Sequence, residues 1–192
     1  MSFLRKKIFV LFLTTVALSG CNPDILKYQL DPGIDQLNGL AENAKIVALS
    51  VKDNRPVSSN QSSSIKSILG PNDEANVLRG KLVALLKQGG YKIINNPLLA
   101  DISFEIQINK LELNIESSTF KSTIRGNSEF KFSVRKNGED WAKVYRATRE
   151  QEVANPVNEL DATGVMNQML TRLLSNAFSD ASLKEFIQKN QL

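Results

Sequence analysis

Histidine is absent from the 192-residue chain, and cysteine occurs once, at Cys21. Without histidine, the commonest zinc ligand and the commonest general base near neutral pH are both missing. A single thiol allows no intrachain disulfide, so stability has to come from an apolar core. A chain of this length can bury one as a single domain. No D-x-[DN]-x-[DN]-G loop offers an oxygen cage for a cation, and no metal site is expected. Gly80-Lys81 lacks both the earlier glycine and the following Ser/Thr of a phosphate-binding loop. Long apolar runs are missing too. The run at residues 8–18, broken by Thr14 and Thr15, is about half of the roughly 20 residues that cross a bilayer as a helix.

An excess of one charge is also missing once the leader is set aside. The whole chain carries a formal +4 and a pI near 9.2, which alone would suggest a nucleic-acid partner. Residues 1–20 hold Arg5, Lys6 and Lys7 and no acid, so their removal leaves 21 basic against 20 acidic side chains. A near-neutral chain gains little from counterion release, and nucleic acid is excluded as a partner class.

What is present at the N-terminus is a basic trio, the apolar run and a small-residue close, the three parts of a secretory signal. Leu18-Ser19-Gly20-Cys21 resembles the bacterial lipobox. That resemblance implies a diacylglycerol on the Cys21 sulfur, cleavage before Cys21, and acylation of the freed amine. Three acyl chains exceed the two signals that stable anchoring requires, and lipidation uses the only thiol. Asn22 stands where an Asp, by resemblance to the enterobacterial sorting rule, would favour the inner membrane. The expected address is therefore the inner leaflet of the outer membrane, facing the periplasm. Residues 1–20 are read as signal peptide, 21–43 as lipidated cysteine and tether, and 44–192 as one domain. Extended, residues 22–43 could reach roughly 70 Å, although Ile25, Leu26, Tyr28 and Leu30 suggest that part of the tether lies on the domain.

Within the domain, the two-sided apolar pattern of residues 45–52 predicts a central strand. Asp53-Asn54-Arg55-Pro56 breaks it, and a long serine-rich loop runs to about Pro71. A helix is expected over 73–88, with Val77, Leu78, Leu82, Leu85 and Leu86 as its buried stripe and Gly89-Gly90 as its stop. Ile102, Phe104, Ile106 and Ile108 alternate in one phase and Leu111, Leu113 and Ile115 in the other, which predicts a bulge at Asn109-Lys110. Phe120, Ile124, Phe130, Phe132 and Val134 share a parity, and Asn137-Gly138 marks a hairpin turn. Residues 141–153 return. Pro156 is expected in the first turn of a helix lined by Met166, Met169, Leu170, Leu173, Leu174, Ala177 and Phe178. Ser182 with Glu185 reads as a capping box for a last short helix. The expected fold is α+β: a mainly antiparallel sheet in the order β-α-β-β-β-α-α, with helices packed on one face.

Tyr145-Arg146-Ala147-Thr148, the amphipathic helix after Asn155, and the ending Lys184-Glu185-Phe186-Ile187-Gln188-Lys189-Asn190 resemble the YajG family of bacterial lipoproteins. The resemblance spans most of the chain after the leader. It implies an outer-membrane lipoprotein of Gram-negative bacteria and carries over no catalytic residues.

Few side chains invite a chemical reading. Ser63 and Lys66 have S-x-x-K spacing, but the companion motifs of penicillin-binding enzymes are missing and a serine-rich loop produces such spacing by chance. Glu105, Glu112 and Glu116 alternate with apolar residues, as a solvated sheet face requires. Asp53 and Arg55 leave a central strand for a long loop; they make a turn and an internal pair, or they meet a partner. Trp141 and Tyr145 share a strand face, which is core if the helices cover it and a partner surface if they do not. The sequence thus points to a non-enzymatic binding or accessory module of the envelope. It has no cofactor beyond the lipid on Cys21, and it acts on an envelope protein or peptidoglycan. The alternative is a carrier of lipid or another apolar ligand between sheet and helices.

Overall fold

The computed structural model describes residues 26–34, 46–56, 65–67 and 71–188. The signal peptide, the lipobox with Cys21, residues 58–64 with Ser63, and the tail from Lys189 lie outside the described residues.

Strand β1 (Leu26–Tyr28) pairs in parallel with β3 (Ile65–Ser67) as a small separate sheet. The main sheet has the order β4-β2-β5-β6-β7, built from β2 (Ile46–Asp53), β4 (Lys92–Ile94), β5 (Ile102–Ser117), β6 (Lys121–Lys136) and β7 (Glu139–Ala154). Helix α1 (Pro71–Gln88) connects β2 to β4, and α2 (Glu159–Ser179) and α3 (Ala181–Gln188) follow β7. The antiparallel part is the expected meander β5-β6-β7. The sheet as a whole is mixed, because β2 runs parallel to both β4 and β5. A return through α1 brings the chain back to the end where β2 began, so the next strands enter in its direction. Three-residue strands such as β1, β3 and β4 are too short to show a period, and the expected order omitted them.

The long strands follow their side-chain alternation. The β5–β6 register shifts between Ile108 and Lys110, as the phase slip predicts. Asn137 (φ 52°) and Gly138 (φ 80°) both take the left-handed conformation that a two-residue hairpin turn demands. Ile124, Phe130, Phe132 and Val134 of β6 are buried; Phe120, grouped with them by parity, stands before β6 in the turn and is 87% exposed.

Two helix starts differ from expectation. Pro156, in a cis peptide with Asn155, lies outside α2. The helix starts instead from Asn158, whose Oδ1 accepts from Asp161 N at 3.0 Å while Asp161 Oδ2 accepts from Asn158 N at 3.3 Å. The start of α3 is capped by Asp180 rather than Ser182: Asp180 Oδ1 accepts from the Ser182 amide at 2.8 Å and its hydroxyl at 2.7 Å.

Helix α1 packs on β2 and β4, and α2 on β6 and β7, all against one face of the sheet. Leu78, Leu82 and Leu86 of α1 and the expected stripe of α2 join Val47, Leu49, Phe104, Ile106 and Phe132 in a continuous core. Phe132 meets both Tyr145 and Phe178 edge-on, at centroid distances of 5.3 and 5.8 Å. Gly126 lets α2 come close: a Cβ there would lie 3.0 Å from Met169 Sδ and 3.2 Å from Leu113 Cδ2.

Candidate functional site

The residues alternating with the core positions form the other face of the sheet, and among the described residues no helix covers it. Ser50 and Lys52 on β2, Ser103 and Glu105 on β5, and Ser133 and Arg135 on β6 line a trough of about 500 Å³ there. Asp140 of β7 closes one side. The β4–β5 connection, Asn95, Pro97 and Leu98, forms the opposite wall. That wall is a short 3-10 turn, Pro97–Leu99, started by Asn96, whose Oδ1 accepts from Leu98 N at 3.0 Å. It holds Leu98 and Leu99 outward, 89% and 70% exposed.

Ion pairs bracket the serines. Lys52 Nζ lies 2.5 Å from Glu105 Oε2, and Gln107 Nε2 donates to Glu105 Oε1 at 2.6 Å. These donors, Lys52 first, hold the Glu105 carboxyl below its ordinary pKa. Arg135 grips Asp140 with two parallel bonds of 2.7 and 3.1 Å, which lowers the Asp140 pKa and raises that of Arg135. Both carboxylates are therefore held ionised at neutral pH. Such a surface offers fixed charges and hydroxyls for hydrogen bonding and no protonated carboxyl to donate in acid catalysis. Among the described residues, no group of three or more His, Cys, Asp or Glu is placed to hold a metal ion.

The sequence-selected residues lie elsewhere. Arg55 turns inward: its guanidinium meets Asp53 Oδ2 at 2.5 Å, pairs with Glu74 of α1, and donates to Leu111 O at 3.3 Å. All three charged side chains are buried, and Tyr28 of β1 donates its hydroxyl to Glu74 from the other side. Burial alone would lower the Arg55 pKa; the hydrogen bond to Asp53 and the charges of Glu74 and Asp53 outweigh it and hold the guanidinium above its ordinary value. Asp53 and Arg55 thus make a turn and an internal pair, to which β1 adds Tyr28.

Trp141 and Tyr145 face the helices. Trp141 is half-buried against the core, and Tyr145 is 8% exposed. The Tyr145 hydroxyl donates to Asp180 Oδ2 at 2.8 Å, beside Lys143 Nζ at 2.6 Å, which ties β7 to the α2–α3 corner. Burial first, and then Asp180, raise the Tyr145 pKa. Glu112 and Glu116 form surface pairs with Lys110 and Arg125. Lys66 stands on β3, and Ser63, the other member of its S-x-x-K spacing, lies outside the described residues.

The trough was half legible. Ser103, Glu105 and Gln107 alternate with Ile102, Phe104 and Ile106, which marks an uncovered face, but nothing in the pattern shows that residues 95–98 wall it.

The architecture is a two-layer α+β domain, and it is similar to that of protein XCC0632 from Xanthomonas campestris. The match has a TM-score of 0.54 at 11% identity and covers 88% of this chain and 99% of that one. Fainter likenesses are to the hypothetical protein CT253 from Chlamydia trachomatis (TM-score 0.48, 12% identity, 77% and 100% covered) and to Lipoprotein GNA1162 from Neisseria meningitidis (0.36, 10%, 70% and 99%). No curated protein matches the chain in sequence. The chain belongs to the YajG-like family of bacterial proteins described as uncharacterized lipoprotein, whose family model matches residues 32–188. Among the described residues, no helix is long and apolar enough to cross a membrane.

Proposed function

We propose that the protein is a lipid-anchored accessory module of the cell envelope that binds its partner along the open sheet face and catalyses no reaction. The observation that carries this reading is the trough, a walled concavity lined by ionised pairs and serine hydroxyls. Family membership supports the anchor, with Cys21 as the acylated residue and the inner leaflet of the outer membrane, facing the periplasm, as its address. Fixed charges and hydroxyls suit an extended polar chain, either a segment of an envelope protein or peptidoglycan. A carrier would instead hold an apolar ligand between sheet and helices, where Met169 already lies against Gly126. The trough opens on the other side of the sheet.

Photo-crosslinking amino acids at Ser103 and Ser133, introduced in living cells, test this. A discrete adduct from both positions, lost in the charge-reversed Arg135→Glu variant, is the expected result. Adducts that form equally from an exposed α3 position such as Glu185, or none from the trough, would remove the open face as the binding surface.

A further inference from the structure

Leu26, the first described residue, stands five positions after Cys21. Gln29 N donates to Thr163 Oγ1 at 3.2 Å, Asp31 N to Asn167 Oδ1 at 2.8 Å, and Asn167 Nδ2 to Gln29 O at 3.0 Å. Gly33 lies beside Thr171. Residues 29–33 therefore run alongside α2 in its own direction, and Leu26 is directed toward the start of that helix. The β5–β6 turn is at the same end. Asn155 N donates to Phe120 O at 3.3 Å, Asn155 Nδ2 donates to Ser118 O at 2.9 Å, and Asn158 caps α2 three residues later.

Two large apolar side chains stand uncovered at this end, Phe120 at 87% and Leu160 at 82% exposure. Beside them Lys121 meets Glu152 at 2.6 Å and Arg125 bridges Glu116 and Glu150 at 2.9 and 3.0 Å, while Glu159 and Asp161 flank Leu160 in the first turn of α2.

We propose that Phe120 and Leu160 insert into the phospholipid surface that holds the Cys21 acyl chains, so that the domain sits on the bilayer by its β5–β6 end. The inference rests on the lipid-anchor reading above. Five residue steps span at most roughly 17 Å, so the anchor keeps this end of the domain against the headgroup layer. Apolar side chains held there gain by leaving water, and the acyl chains have already met most of the cost of association. The trough lies near the far end of the same strands, beside the Asn137-Gly138 hairpin.

The test uses the full chain, processed in cells and reconstituted into phosphatidylethanolamine–phosphatidylglycerol vesicles whose acyl chains carry bromine. Phe120→Trp and Leu160→Trp are each placed in a Trp141→Phe background. Both new indoles should lose most of their emission to the bromine, while native Trp141, at the hairpin end, should keep its own. Acylated, vesicle-bound protein with no quenching at positions 120 and 160 would overturn the docking and leave the anchor standing. Crosslinks from position 120 to a second copy, without quenching, would overturn it in favour of self-association. A Cys21 peptide without acyl mass would overturn the anchor reading and the docking together.

Discussion

The same strands write both faces of the five-stranded sheet in alternate residues, yet the two faces are held by different forces. On the covered face, Ile106, Ile108, Phe130 and Phe132 are at most 1% exposed and packed against helices. On the open face, Glu105, Arg135 and Asp140 are held by hydrogen-bonded ion pairs in contact with water. Packing resists the loss of even a methylene, because close-packed neighbours relax only partly. Exposed ion pairs contribute little to folding, since solvent screens them and ordering long side chains costs entropy. The covered face thus carries the stability, and the open face is left free to vary.

Four changes would sharpen or break this contrast. Phe132→Ala, which removes the ring that meets both Tyr145 and Phe178, should cost about 4 kcal/mol in urea unfolding; a loss below about 1 kcal/mol would mean the covered face is not close-packed. Glu74→Ala strands part of the buried Arg55 charge and should cost about 3 kcal/mol, with Glu74→Gln recovering some of it by keeping an acceptor for Tyr28.

Asp180 adds a pH term at the rim of the covered face. Lys143 first, then Ser182 and Tyr145, hold its carboxyl well below the ordinary carboxylate range. A folded-state pKa below the unfolded value adds stability that is present above about pH 4 and lost as the pH falls toward the folded value. Asp180→Asn should cost about 2 kcal/mol at neutral pH and flatten the fall in stability below about pH 4. An unchanged acid slope would remove Asp180 as a source of acid sensitivity. The smallest effect belongs to the open face: Arg135→Ala should leave the unfolding midpoint within about 0.5 kcal/mol of the parent while weakening trough crosslinks in cells.

Elements with a repeating signal were legible in the sequence. The α2 stripe, the bulge at Asn109-Lys110 and the Asn137-Gly138 turn each leave a local signature of period or dihedral demand. What was not legible depends on distance along the chain or on brevity. Arg55 finds Glu74 19 residues away, and Glu74 finds Tyr28 46 residues away; no spacing rule links them. Strand β4 is three residues long, too short for alternation, so the parallel half of the sheet went unseen. Phe120 shares the parity of the β6 core positions and stands in solvent, because a turn sets its direction and no apolar face does. For the site, the polar alternation of β5 was visible, but the wall at residues 95–98 needed the fold.

The hydrogen bonds of Gln29 and Asp31 to α2 bear on the order of assembly. Those partners are 134 to 138 residues apart in the chain. Synthesis runs from the N-terminus, so residues 29–31 are made early and their seat on α2 is made almost last. Until α2 lies on the sheet, β1 has no helix to run along. The first described strand is thus the last to be fastened, and its position on the domain is set only when the rest is complete.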